Sequence, residues 1–138
     1  ALTSVVACRT LHALCPACRV PALAPGPEAV RRLVPRLLEE ELLDGWEQAF
    51  TARPGGCGAC DGRGHRGRVG VYEVVHRPAE IIEATYRSSA RLRPALHERT
   101  RTLRESAMLR AYAGQVSITE AVNATPVAPG GEPPCPAS

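Results

Sequence analysis

Lysine is absent from this 138-residue chain; all 17 of its basic residues are arginine. Without lysine there can be no G-x-x-x-x-G-K-[ST] loop, so the chain carries no lysine-dependent phosphate cradle. Aromatic side chains are scarce too, at 4% of residues, with one Trp, one Phe and three Tyr. A core built on Leu, Val and Ala gains less burial per side chain, and a metal brace would help a chain of this size. The same scarcity removes the stacking platforms that single-stranded nucleic acids use. A net charge of +3 is also mild for a nucleic-acid footprint. No run approaches the roughly 18 apolar residues of a membrane helix, and the opening residues lack the charged start expected of a signal peptide. VVAC at 5–8, with four residues given ahead of it, is not expected to be a lipoprotein cleavage box. The chain opens at Ala1 inside an apolar pattern, and the expectation is a piece cut from something longer.

Glycine, proline and cysteine are plentiful, at 12, 13 and 6 residues. Leu2, Val5, Val6, Ala13 and Leu14 stand near helical spacing, which predicts a helix over 2–14. Pro27 suits the first position of a new helix. Val30, Leu33, Val34, Leu37 and Leu38 then keep the pattern of one buried face. An interior proline costs about 3 kcal/mol, so Pro35 divides this segment into two short helices. WEQAFTA (46–52) and the β-branched VGVYEVV (69–75) read as strands, separated by a glycine-dense turn region at 53–68. A helix is expected from Pro78, carrying Ile81, Ile82, Thr85 and Tyr86, and another over Leu92–Arg99. Thr102 with Glu105, and Ser117 with Glu120, form capping boxes ahead of two further helices, the first stopping at Gly114. Residues 126–138, rich in proline and without an apolar face, read as a disordered tail.

Four cysteines follow C-x2-C-x38-C-x2-C: Cys15 and Cys18 in CPAC, Cys57 and Cys60 in CGAC. A two-residue gap lets both thiolates of a pair point one way, and two pairs complete a tetrahedral zinc site. Gly55, Gly56, Gly58, Gly62 and Gly64 supply turn freedom around the second pair. Closing the long loop costs on the order of 3 kcal/mol, whereas structural zinc contributes roughly 10–16 kcal/mol in small peptides. The alternatives are a thiol–disulfide oxidoreductase or an independent zinc-knuckle adaptor. A redox CxxC wants a strand before it and a helix after it, whereas a predicted helix precedes CPAC and the proline-rich RVPALAP follows. CGACDGRG fits the C-x-x-C-x-G-x-G repeat of DnaJ-type zinc domains, but one repeat stands here where those domains carry four. Cys8 is expected to be a small buried hydrophobe and Cys135 an exposed tail thiol. Arg63, His65, Arg66 and Arg68 form a basic loop, read either as a contact for phosphate or an acidic partner, or as cations offsetting thiolate charge. His12, His76 and His97 show no partner pattern.

The stretches LHALCPACRVP, GGCGACDGRGHRGRVGVYEVV and RTLRESAMLRAYAGQVSITEAVNAT, in that order, resemble the C-terminal end of the type II secretion and type IV pilus assembly ATPases, the GspE/PilB family. The resemblance covers roughly residues 2–125. It places Cys15, Cys18, Cys57 and Cys60 on the family's zinc-binding tetracysteine motif, Arg66 to Glu73 on the segment leaving it, and Thr102 to Glu105 at the start of a final helical subdomain. The chain departs from the family pattern at Cys8, Arg63, His65 and Ser106-Ala107. The resemblance implies a hexameric ATP- and Mg2+-dependent motor in the cytoplasm, held at the inner membrane by a platform protein and other secretion or pilus components. It implies neither nucleic-acid binding nor direct membrane insertion. This chain, lacking the Walker A loop, is not expected to hydrolyse ATP alone, so no catalytic or nucleotide-binding residue is assigned. The expected architecture is α+β and mostly helical. Residues 1–14 would be the last helix of a RecA-like ATPase domain, 15–68 a zinc-braced subdomain with short strands, 69–125 a helical C-terminal subdomain, and 126–138 a tail.

Overall fold

The computed structural model describes residues 3–39, 48–76, 83, 86 and 100–126. Two long strands carry it. β1 (Ser4–Leu14) and β4 (His65–His76) pair antiparallel, from Ser4 against His76 to Leu14 against His65. β1 corrects the expected helix over 2–14. Val5, Val6 and Thr10 are β-branched and fit a pleated ribbon better than a helical turn. The strand-forming VGVYEVV segment also needs a partner for its backbone N–H and C=O groups. Pairing turns Leu11 and Val71 to one face, where both are buried. It turns Val6, Tyr72 and Val74 to the other, where they are exposed. Cys8, opposite Tyr72, lies on that outer face and is exposed, so it is not the buried hydrophobe expected.

The second sheet is a short antiparallel pair, β2 (Val20–Leu23) with β3 (Gln48–Thr51), in register from Val20 with Thr51 to Leu23 with Gln48. Between them lie α1 (Pro27–Leu33), with Pro27 in its first turn, and α2 (Pro35–Glu39). The break at Val34–Pro35 is the one the proline dictates. Strand and helix take comparable shares of the described residues, so the fold is α+β but not mostly helical. The expected surplus of helix is the segment that forms β1.

At the C-terminal side, α3 (Leu103–Tyr112) opens on a complete capping box. The Thr102 hydroxyl accepts from Glu105 N at 3.2 Å, and the Glu105 carboxylate accepts from Thr102 N at 2.8 Å. Gly114, at φ +72°, turns the chain after α3, and α4 (Ile118–Ala124) follows. One core joins these elements. Val30, Val34 and Leu37 from the α1–α2 segment meet Leu11 and Val71 from the long sheet, with Ala107, Met108, Ala111 and Ala121 from the C-terminal helices and Val116 from the turn between them. Polar ties cross the same boundaries: Glu73 accepts from Leu103 N at 3.1 Å, and the Ser106 hydroxyl donates to Tyr72 O at 2.8 Å. Buried Glu105 also lies 3.9 Å from Arg36, whose guanidinium donates to Thr100 O.

Positions 83 and 86 are helical. The remainder of the helix expected from Pro78, the helix expected over Leu92–Arg99, Trp46 and the tail from Val127 lie outside the described residues.

Candidate metal centre

Each cysteine pair sits where one strand ends and another begins. β1 delivers Cys15 and Cys18, and β2 leaves from Val20; β3 delivers the chain toward Cys57 and Cys60, and β4 leaves from His65. In the first turn, Cys18 N and Arg19 N both donate to Cys15 O, at 3.2 and 2.9 Å. In the second, Cys57 leads into a 3-10 turn over Gly58–Cys60, with Cys60 N and Gly62 N donating to Cys57 O at 3.2 and 3.0 Å. Cys15 N donates across to Gly64 O at 3.0 Å, joining the two turns through backbone. Gly56 meets its surroundings most closely. Its φ is +56°, and a Cβ there would stand 2.4 Å from Gly62 C and 2.6 Å from Gly64 N.

The two turns bring all four predicted thiols together. Their sulfur atoms lie within 4.8 Å of one another. Cys15 to Cys57 is 3.9 Å, and Cys18 to Cys60 and Cys57 to Cys60 are both 3.8 Å. A tetrahedron with metal–sulfur bonds of about 2.3 Å has edges of about 3.8 Å. A disulfide would need about 2.05 Å, and all four cysteines are free thiols. Cys15, Cys18 and Cys60 are buried and Cys57 is half-buried. The donor set therefore fits one divalent ion with soft-ligand preference. Four thiolates without an open ligand position are the donor set that structural zinc sites use.

The electrostatics of the bare cluster favour thiolate at Cys60. Backbone N–H groups of Cys57 and Gly64, each 3.2 Å from its sulfur, hold its pKa down to about 6 against the opposing effect of burial. Cys18 goes the other way. Burial, and then the neighbouring thiols, push it up to about 12. A metal ion supplies the positive charge that lets both be thiolates together.

The centre is tied to the C-terminal helices. Leu14 N donates to Gln115 O at 2.8 Å, and the Arg19 guanidinium donates to Gly114 O while lying 4.6 Å from the Phe50 ring centroid. Glu120 accepts from both the backbone N and the ring Nδ1 of His12, each at 3.0 Å. The second predicted capping box is thus half formed. The Ser117 hydroxyl accepts from Glu120 N, but the Glu120 carboxylate reaches β1 instead of its own N-cap.

The His12 backbone N–H, foremost, holds the Glu120 pKa below the ordinary carboxylate value. A lowered folded pKa means stability that is complete above the ordinary carboxylate range and is lost as pH falls through the lowered value. Replacing Glu120 with Gln is expected to cost about 1 kcal/mol at neutral pH, as a bond to a charged acceptor is lost. Urea unfolding of both proteins down the acid range checks this, and the two curves should converge as Glu120 protonates.

Other predicted residues separate. Cys8 lies on the outer sheet face, far along β1 from the cluster, His76 ends β4, and Cys135 and His97 lie outside the described residues. Sequence reading missed the His12–Glu120 contact, which spans 108 positions and has no local signature.

Comparison with known proteins comes to the same region of sequence space. Residues 1–123 match the family model described as "Type II/IV secretion system protein". Type II secretion system protein E of Aeromonas hydrophila is 30% identical over 129 residues, which cover 90% of this chain and 23% of that protein. Its namesake from Pseudomonas aeruginosa is 28% identical over 126 residues, with the same coverage of 90% and 23%. The chain thus spans about a quarter of the length of the curated relatives it matches.

Proposed function

Since the chain belongs to the type II/IV secretion system protein family, we propose that it is the zinc-braced module of a secretion or pilus assembly ATPase. Its task is structural. One Zn2+ held by Cys15, Cys18, Cys57 and Cys60 fixes the junction of four strands, and that junction presents a surface to neighbouring subunits or to a membrane platform. The observation that carries this reading is the gathering of all four sulfurs within 4.8 Å of one another, with three separations of 3.8–3.9 Å that match the edge of a tetrathiolate tetrahedron.

The wider protein is proposed to bind ATP with Mg2+ and to work as a hexamer in the cytoplasm, at the inner membrane through its partners. Among the described residues no helix is long and apolar enough to cross a membrane. Residues 1–14 are proposed as the edge of its nucleotide-binding domain, entering as a strand; 15–68 is the zinc subdomain and 69–125 the C-terminal one. A dithiol redox role gains less support, because Cys57 stands as near to Cys15 of the other pair as to Cys60 of its own.

Metal analysis of the purified chain tests the proposal. About one equivalent of zinc is expected for a four-thiolate site, and none in the variant with all four cysteines changed to Ser. Zinc at less than half an equivalent in the unmodified chain would refute it.

A further inference from the structure

The basic loop that follows Cys60 is not consumed by the metal centre. The ladder between β1 and β4 shifts register between His12 and Leu14, and Gly67 sits in that irregularity at φ +81°. Such a bulge re-aims the side chains beside it. Here it opens a cavity of about 370 Å³ lined by His12, Arg63, His65, Gly67 and Arg68. Among the described residues no carboxylate lines it. Four of the five lining residues carry, or can take up, positive charge, and the fifth is a glycine whose missing Cβ would meet nothing within 4 Å.

The polar contacts around the cavity orient these groups and leave donors free on both arginines. The Arg68 guanidinium donates to the Thr10 hydroxyl at 3.2 Å. Arg63 donates through Nε to Cys60 O and through Nη2 to Asp61, both at 3.2 Å. A guanidinium has five N–H groups, so each arginine keeps several for a ligand. The two histidines are fixed in the same sense: His12 Nδ1 faces the Glu120 carboxylate and His65 Nδ1 faces Arg63 O. Both partners are pure acceptors, so each Nδ1 is the donor in its contact and each ring is held in place by it. The rings lie 6.1 Å apart, edge to face.

We propose that this cavity binds a small phosphate-type oxyanion: phosphate, pyrophosphate, or the phosphate end of a small phosphorylated molecule. Planar guanidinium groups match phosphate oxygens two at a time. The cavity volume lies near the lower limit of ligand pockets, which run from about 300 to 1,000 Å³. That suits a compact anion and excludes a duplex. A competing role for the arginines is to offset the negative charge of the tetrathiolate centre, and the test separates the two.

The full chain, with its zinc content measured in the same samples, is titrated by 1H–15N NMR with inorganic phosphate and with pyrophosphate at constant ionic strength. A parallel arm uses phosphatidylglycerol vesicles. Saturable shifts at His12, Gly67 and Arg68 are expected, with pyrophosphate the tighter ligand. Arg68→Gln and, separately, Arg63→Gln should each weaken binding about tenfold or more, the loss of a charge-assisted bond, at unchanged zinc content. A response to vesicles alone that is lost in both variants keeps the phosphate site and makes a lipid headgroup its source. The proposal fails if shifts do not saturate in the millimolar range and vesicles do not bind. It also fails if the variants bind as the parent does, or if they lose zinc while binding was never seen; that last result would assign the arginines to the metal centre.

Discussion

Stripping the metal with a strong chelator is expected to unfold the chain cooperatively. Structural zinc contributes about 10–16 kcal/mol in small tetrahedral sites, while an ordinary domain is stable by only about 5–15 kcal/mol in total. The core supplies little reserve. Among the described residues its largest fully buried side chains are Leu11, Leu37 and Met108, with no aromatic ring fully buried. Four strand ends also converge on the cysteine turns, so loss of the ion frees β1, β2, β3 and β4 at the same place. Single changes should act nearly as strongly. Cys60→Ser removes a buried ligand that accepts two backbone N–H bonds, and the three remaining thiolates repel one another without a closed shell. Far-UV circular dichroism and NMR dispersion, followed during chelation and again after zinc is restored, check the outcome. A chelated protein with an unchanged unfolding midpoint would mean that the thiols merely pack.

The second large effect is expected at Gly56, a position with no ligand atom. An alanine there would take a left-handed backbone, costing about 1–2 kcal/mol. Its Cβ would also press on the backbone of Gly62 and Gly64, and overpacking of that kind costs about 1–3 kcal/mol. Neither neighbour can rotate away, because both contacts are to main chain. Gly64 N donates to Cys60 Sγ and Gly64 O accepts from Cys15 N, so any shift there moves both cysteine pairs. Gly56→Ala should therefore lower thermal stability and zinc affinity together, whereas Gly58→Ala, with open space around its Cβ position, should leave both nearly unchanged. Parallel melting curves and competition with a chromogenic chelator distinguish the two variants.

Local chemistry made several features legible in the sequence. The Thr102–Glu105 box, the break at Pro35 and the paired thiols depend on residues one to three positions apart, and each formed as the spacing implied. Features decided by distant partners were not legible. Val5, Val6 and Leu14 fit a helical face about as well as a strand, and only the pairing with residues 65–76 resolves the ambiguity. Cys8 follows from the same pairing, since its exposure is set by which face of that ribbon meets the helices. Glu120 matched a capping box by spacing, yet the nearby His12 captured its carboxylate. The bulge at Gly67, and the basic cavity it opens, arise from a register shift that no single strand encodes.

X-ray absorption at the zinc edge reads the heart of the account most directly. Four sulfur neighbours at about 2.3 Å, with no nitrogen or oxygen in the first coordination sphere, are expected of a single ion shared by both cysteine turns. Two sulfurs accompanied by lighter ligands would mean that the turns hold metal separately, and the bridging role assigned to the ion would be wrong.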